Sequence, residues 1–217
     1  MNTFNLLKNN SSIKGLIGYY DLSDWWLSEF TDEERKHIVS IYNPMGWNGE
    51  DALIKANIEY YYDEEEGKDI NGSVIKFLWI FAGWFDNKRD RRLAIRILKK
   101  AEELLDDEIP IMDIHLLYGQ LIKVHYSNRL IDPISFDKSI KACEQQIGIA
   151  LQVARAFKKE YNHDFLPAHI GYKQLVIVKE KEQKYQAVID LCAKALKEGW
   201  NGDWEHRIER CKKKLNQ

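Results

Sequence analysis

The sequence has 217 residues, of which 45% are hydrophobic and 30% are charged, with 12 Gly and 4 Pro. A chain of this length buries enough surface to be stable without a disulfide or a metal, and its composition favours a globular, mostly helical protein over a disordered or β-rich one. The formal net charge of -2 argues against a surface dominated by polyanion binding but is compatible with a local basic patch.

The sequence also bears on the cellular compartment. The N-terminus lacks the basic segment and apolar core of a secretory signal. The most apolar run, Val74 to Phe85, is about 12 residues long and contains Lys76, whereas a membrane-spanning helix needs roughly 20. Cys143, Cys192 and Cys211 are widely spaced, odd in number and without a CxxC pair, as is typical of a reducing compartment. We therefore predict a cytoplasmic protein with no membrane partner.

Residues 1–70 are the first predicted domain, an aromatic-rich helical region packed on the rest. A short helix from Leu22 to Phe30 is followed by a capping-box signature, Thr31 to Glu34, that starts a second helix. A further helix is predicted from Asp51 to Tyr62, before an acidic loop at Asp63–Glu66. Five of the seven tryptophans lie in the first 84 residues: Trp25, Trp26, Trp47, Trp79 and Trp84. This concentration predicts a Trp-rich core, or a pocket between the two regions.

Residues 71–217 are the second predicted domain, a series of amphipathic helices. Ser73 is predicted to cap the first of them. Later helices are expected to start near Pro110 and around Pro167, because proline is tolerated in the first turn of a helix. Between them, a longer helix is expected to follow Pro133, from Phe136 to about Tyr161, interrupted at most softly by Gly148. The helix after Asp86-Asn87 has one apolar face, formed by Ala94, Ile97, Leu98, Ala101 and Leu105.

The segment Gly199-Trp200-Asn201-Gly202 repeats the four letters of Gly46-Trp47-Asn48-Gly49. Both copies lie where one helical pattern stops and another begins, so we predict joints between helices rather than a reaction centre. Gly199 is expected to end its helix in a left-handed cap, and Asn201 or Asp203 is expected to start the last helix.

Two stretches resemble the helix-turn-helix unit of the tetratricopeptide repeat (TPR). The first contains Leu78, Phe81, Ala82 and Phe85, followed by Ala94, Leu98 and Ala101. The second contains Tyr172, Leu175 and Val176, followed by Tyr185, Val188, Cys192 and Ala195-Leu196, and departs from the pattern at Val176 and Lys179. A third pair, His115-Tyr118-Gly119-Ile122 with Ser139-Cys143-Gln146, fits if its turn is lengthened by about eight residues. The chain as a whole is also similar to small helical proteins of bacteria and phages.

The resemblance implies an all-α fold: an irregular TPR-like array of antiparallel helix pairs with a C-terminal capping helix. It also implies a non-enzymatic interaction module whose groove binds a partner protein or peptide. The candidate partner-binding residues are exposed basic positions: Lys123, Arg129, Lys173 and Lys179. The sequence leaves oligomerisation open.

A basic turn suggests a different function. Lys88, Arg89, Arg91 and Arg92 lie at the start of a predicted helix, where cations are disfavoured by the helix dipole. An anion is therefore expected nearby. It would be either the acidic loop or the acidic group at Glu102–Asp107 of the same chain, or the phosphate of a nucleotide or nucleic acid. A regulator or inhibitor of another protein, or an enzyme with an unrecognised pocket, is a further alternative.

Catalytic and metal-binding patterns are weak. The sequence has no GxSxG motif and no glycine-rich phosphate loop. Glu34 and His37 have the ExxH spacing without a second such pair, and His163, Asp164 and His169 are better explained by capping and packing at a helix start. We therefore expect no metal and no cofactor, and we favour a non-enzymatic role while leaving enzymatic activity uncertain.

Overall fold

The computed structural model describes residues 13–44, 46–58, 72–161 and 165–217, together with the backbone of Tyr62–Asp63 and Lys68–Asp69. The fold is all-α, as predicted. The helices are α1 (Gly15–Tyr19), α2 (Ser23–Glu29), α3 (Asp32–Ile41), α4 (Val74–Gly83), α5 (Arg91–Glu103), α6 (Ile111–Asn128), α7 (Pro133–Gly148), α8 (Ala150–Tyr161), α9 (Ile170–Lys181), α10 (Tyr185–Glu198) and α11 (Trp204–Leu215).

Two short strand pairs accompany the helices in the described part of the chain. β1 (Tyr62–Asp63) pairs with β2 (Lys68–Asp69) in an antiparallel register. β3 (Leu166–Ala168) pairs with β4 (Trp200–Asn201) in a parallel register. No helix of the described residues has both the length and the apolar character needed to span a bilayer.

Residue contacts divide the chain into residues 1–77 and residues 78–217. The sequence places its boundary slightly earlier, at residue 70, and α4 spans the point where the contacts divide. Each part is described separately below.

In residues 1–77, the predicted capping box at the start of α3 is confirmed. The Thr31 hydroxyl accepts from the Glu34 backbone N–H (3.2 Å), and the Glu34 carboxylate accepts from the Thr31 N–H (3.0 Å). The buried Arg35 guanidinium donates to the carbonyl oxygens of Trp26, Leu27 and Phe30. These carbonyls lie at the C-terminal end of α2, where a cation is favoured by the helix dipole.

The predicted helix from Asp51 to Tyr62 is wrong in its length. Residues 49–55 are helical, with a π-helical turn at Asp51–Lys55, and Ala56 is already extended. The reason is competition for carbonyl groups: the Ile54 oxygen accepts from Lys14 N–H (2.9 Å), and the Ala56 oxygen accepts from Gly15 N–H (2.8 Å). The start of α1 thus uses the acceptors that a longer helix would need. The acidic loop predicted at Asp63–Glu66 lies almost entirely outside the described residues.

In residues 78–217, the helices pack largely in chain order. α6 packs on α5, α7 on α6, α9 on α7, α10 on α9 and α11 on α10, and α6 also contacts α8 and α9. The apolar face predicted for α5 is confirmed, since its central residues are buried: Ala94, Ile97, Leu98 and Ala101. Ser73 caps α4 through a bond from Lys76 N–H (3.0 Å), also as predicted.

Two predicted helix boundaries in this part are wrong. The single helix expected from Phe136 to Tyr161 is two helices, α7 and α8, which meet at Ile149. The break allows Val153 and Ala154 of α8 to be buried. Pro167 does not start a helix but lies in β3, and α9 begins three residues later with His169 as its N-cap. The pairing of β3 with β4 overrides the local proline signal.

The C-terminal joint folds as predicted. Gly199 ends α10 in the left-handed conformation, with φ 88°, and Trp200 and Trp204 are buried. The Trp204 indole N–H donates to the Trp200 carbonyl oxygen (2.7 Å). Asp203 precedes α11 without a side-chain capping bond, and its carboxylate accepts from Arg207 Nε instead (2.8 Å).

Candidate functional site

A cavity of about 300 Å³ opens within residues 78–217. Its walls come from α4, α6, α7, α8, β3, α9 and β4, and its surface is mainly apolar. Its volume is at the lower end of the range for small-ligand pockets, roughly 300–1,000 Å³. The aromatic residues Trp79, Phe157 and Trp200 line it from three different elements. We treat this aromatic cavity as the candidate functional site.

The buried side chain of Gln146 fixes the helices around the aromatic cavity. Its Nε2 donates to the His115 carbonyl oxygen on α6 (2.8 Å), and its Oε1 accepts from Gly171 N–H on α9 (2.7 Å). The Gln146 side-chain amide of α7 thus pairs with a backbone acceptor on α6 and a backbone donor on α9. It joins the three helices, and both its Nε2 and its Oε1 are hydrogen-bonded. The sequence gives no sign that Gln146 has this role.

Trp200 lies against two histidine rings. The His115 ring is stacked on it, with 5.8 Å between centroids and 7° between planes, and the His169 ring meets it edge-on at 4.6 Å. The two histidine rings are themselves 5.0 Å apart. The Trp200 indole N–H donates to the Glu198 carboxylate (3.2 Å), which also accepts from the Tyr172 hydroxyl (2.9 Å). The cluster of Trp200, His115 and His169 is formed by residues that are distant in sequence, so no local sequence motif predicts it.

Burial keeps both histidines uncharged. Desolvation lowers the pKa of His115 to about 4. Desolvation, with a smaller contribution from neighbouring His115, lowers the pKa of His169 to about 3. His169 Nδ1 accepts from Tyr172 N–H (3.2 Å) as the cap of α9, so its proton is on Nε2. The predicted capping role of His169 is therefore confirmed, while His163 and Asp164 lie outside the described residues.

The charged groups near the aromatic cavity are already paired. Lys123 is a charged side chain of its lining, the one that the described part of the chain supplies, and its Nζ lies 3.1 Å from Asp86 Oδ2. The other oxygen of the buried Asp86 carboxylate is 3.5 Å from Arg91 Nε. With no carboxylate in the lining and a neutral His115, the arrangement suits binding better than proton transfer near neutral pH. Among the described residues, no group of three or more potential ligands is arranged to hold a metal.

The four residues predicted to bind a partner have different surroundings. Lys123 lines the aromatic cavity, whereas Lys173 lines a neighbouring depression beside Asp203 and Arg207. The Arg129 guanidinium lies 3.9 Å from the centre of the Tyr126 ring. Lys179 pairs with Glu182 at 3.4 Å.

The predicted basic turn is only partly exposed. Lys88, Arg89 and Arg92 are exposed at the start of α5, and Arg89 lies 3.8 Å from Asp90. Arg91 instead pairs with Asp86 and donates to the Ser127 carbonyl oxygen (3.5 Å). Among the described residues, Asp86 is therefore the anion beside Arg91, and the acidic loop lies almost entirely outside them.

The predicted Trp-rich core is wrong for part of the set. Trp26 is fully buried, but Trp47 and Trp84 are exposed. Trp25 is half-buried and meets Phe30 edge-on at 5.3 Å. Of the five, Trp79 lines the aromatic cavity.

Comparison of the chain with known proteins finds no matching family model, no matching curated protein and no matching solved structure.

Proposed function

We propose that the chain is a non-enzymatic, TPR-like helical-repeat module that binds a partner protein. Two features of the array support the resemblance. The helices pack largely in chain order, with a last helix, α11, against α10. The paired residues Leu166 and Trp200 are 34 positions apart, which is the length of one tetratricopeptide repeat.

An exposed apolar turn between α6 and α7 carries the proposal. Leu130, Ile131 and Ile134 are 87%, 66% and 62% exposed. The turn has its own polar cap, since the Asp132 carboxylate accepts from Ile134 N–H (3.2 Å) and Ser135 Oγ (3.0 Å) at the start of α7. Contiguous exposed apolar side chains on a soluble domain mark interaction surfaces. We call residues 129–134 the apolar turn.

Basic side chains flank the apolar turn. Arg129 is part of it, and the bond from Arg91 to the Ser127 carbonyl brings the start of α5 beside the end of α6. The exposed residues Lys88 and Arg89 lie in the turn just before α5, and the exposed Arg92 lies in its first turn. The matching partner surface combines an apolar pocket with acidic groups at its edge. Arg129 and the basic turn thus serve one interface in this proposal.

A pair of double variants tests the proposal. Leu130→Gln with Ile131→Gln removes the apolar contacts without changing the charge. Leu151→Gln with Leu215→Gln makes the same chemical change at two other exposed leucines and serves as the control. Partners captured from the native cell by wild type are identified by mass spectrometry, and the affinity of the recovered protein is then measured by calorimetry.

We expect the apolar-turn variant to bind the recovered partner about 30- to 700-fold more weakly, because two central contacts contribute about 1–2 kcal/mol each. The control variant is expected to bind like wild type. Equal affinity of both variants would overturn the proposal. So would sedimentation showing that wild type self-associates and the apolar-turn variant does not, since the occupant would then be a second copy of this chain.

Nucleic-acid or nucleotide binding is the second candidate function, supported by the exposure of Lys88, Arg89 and Arg92. It predicts binding of labelled RNA, DNA or nucleotide that weakens steeply with salt. Reversing these three charges would abolish that binding, whereas the Leu130→Gln, Ile131→Gln variant would retain it.

A regulator or inhibitor of another protein would be a special case of partner binding and would show the same dependence on the apolar turn.

A further inference from the structure

We propose that the aromatic cavity is a binding site for a small, uncharged aromatic molecule. The aromatic cavity does not include any residue of the apolar turn, so ligand binding in the cavity can be tested separately from the proposed partner binding.

The walls of the aromatic cavity favour a planar ring. Trp79 of α4, Phe157 of α8 and Trp200 of β4 all contribute to them. Aromatic rings interact well in offset-stacked or edge-to-face arrangements, so a ring placed among them gains contacts in either orientation. Gln146 and the β3–β4 pair hold the surrounding elements in place, so little order has to be created on binding.

The electrostatics of the lining select against charge. No Asp or Glu side chain among the described residues lines the aromatic cavity, so a cationic ligand would find no counter-charge there. An anionic ligand would find only Lys123, which is already paired with Asp86. Moving a charge from water into such surroundings is costly unless it is paired there. The arrangement therefore favours an uncharged molecule.

Polar atoms in the walls do not change this selection. Among the described residues, Trp79 Nε1, His115 Nδ1 and Gln120 Nε2 have no hydrogen-bond partner, and each of these atoms is buried from solvent. None of the three carries a charge that would attract or repel an ionic ligand. Shape and the absence of free charge therefore define the ligand class.

The chain itself favours a free molecule as the occupant. α8 packs on α6 and supplies Val153 and Phe157 to the walls. This chain thus covers part of the α6 surface that a long partner segment would need. A small molecule requires only the space that α8 leaves.

The test uses three ligands of similar shape and different charge: indole, the cation tryptamine and the anion indole-3-acetate. Binding to the full chain is measured by calorimetry and by saturation-transfer NMR. We expect indole to bind at least tenfold more tightly than either charged analogue. Absence of indole binding at millimolar concentration would overturn the proposal, as would equal affinity for tryptamine.

A cavity-filling variant locates the site. Ala168 is exposed at the aromatic cavity, so Ala168→Leu places extra volume in the space that the ligand needs. We expect it to reduce indole affinity at least tenfold. Leu151→Ala, which changes an exposed residue of α8 outside the lining, is expected to bind like wild type. Unchanged affinity in Ala168→Leu would place indole elsewhere and overturn the assignment.

A second variant keeps the test decisive if Ala168→Leu fails to fold. Phe157→Ala removes one ring from the wall without adding volume. We expect it to weaken indole binding several-fold while its far-UV circular dichroism matches that of wild type. Wild-type affinity in this variant would contradict the role assigned to the aromatic wall.

Discussion

The same four residues, Gly-Trp-Asn-Gly, fold in two different ways in this chain. Both copies begin with a left-handed glycine, Gly46 with φ 86° and Gly199 with φ 88°. Trp200 is nevertheless only 3% exposed, whereas Trp47 is 46% exposed. The backbone conformation of the glycine is a local property, which the four letters determine. Burial of the tryptophan depends on residues that come from elsewhere in the chain.

The neighbours of Trp200 explain the difference. It has β3 beside its backbone, two histidine rings against its indole and the Glu198 carboxylate on its N–H. In the first copy, Asn48 turns the chain by accepting from Asp51 N–H (2.9 Å), and the ring of Trp47 stays at the surface. A shared motif therefore predicts a shared turn but not a shared role in the core.

The largest expected effect distinguishes the two tryptophans. We expect Trp200→Ala to lower the free energy of unfolding by about 3–5 kcal/mol, because it removes a buried ring and leaves a cavity. Trp47→Ala, the matched change in the other copy, should cost about 1 kcal/mol or less. Urea denaturation followed by circular dichroism measures both. Equal losses would show that exposure does not separate the two copies.

A smaller effect should appear in acid. The pKa of His169 is lowered to about 3, and those of His115 and His125 to about 4, so protonation below the ordinary value of 6.5 favours the unfolded chain. The stabilisation is complete above pH 6.5 and is lost progressively as the pH falls towards 4 and then 3. A difference of one pKa unit corresponds to about 1.4 kcal/mol, so we expect each histidine to contribute a loss on the order of 2 kcal/mol by pH 5.

His169→Asn isolates the contribution of the ring that touches Trp200. Asparagine can still accept the capping bond at the start of α9, but it does not titrate. The stability of this variant should fall less steeply than that of wild type between pH 6.5 and 4, as measured by urea denaturation at each pH. Parallel curves for the two proteins would contradict the assignment of this pH dependence to His169.

The smallest expected effect is common to the two copies. Gly46→Ala and Gly199→Ala should each cost about 1 kcal/mol, because a side chain is disfavoured at positive φ. An added Cβ meets nothing within 4 Å at Gly46 and only Leu166 Cδ1, at 3.8 Å, at Gly199. Denaturation curves of the two variants should therefore shift by similar amounts. A much larger shift for Gly199→Ala would indicate that its tertiary surroundings also constrain the glycine.

Local signals account for what the sequence predicts well. Thr31 with Glu34 marks the start of α3, and Gly199 marks the end of α10, because capping involves only residues within a few positions. The periodic apolar face of α5 likewise needs no knowledge of distant residues. These signals are sufficient to predict the all-α class and several helix bounds.

Long-range partners account for what the sequence does not predict. Pro133 and Pro167 each favour the start of a helix. Pro133 does start α7, whereas Pro167 lies in β3, which pairs with β4 instead. The aromatic cavity depends on His115, His169 and Trp200 meeting in space, and on Gln146 joining their helices. The sequence pattern likewise does not predict the apolar turn, because the exposure of Leu130 and Ile131 follows from the packing of α6 and α7.

The β3–β4 pair places the two ends of the α9–α10 segment side by side. It brings Leu166, just before α9, next to Trp200, just after α10, so the segment between them starts and ends at nearly the same point. A segment with adjoining ends can be duplicated, exchanged or removed with little disturbance to the path of the flanking chain. The α9–α10 pair thus has the geometry of a unit that can be inserted into or removed from the chain as a whole.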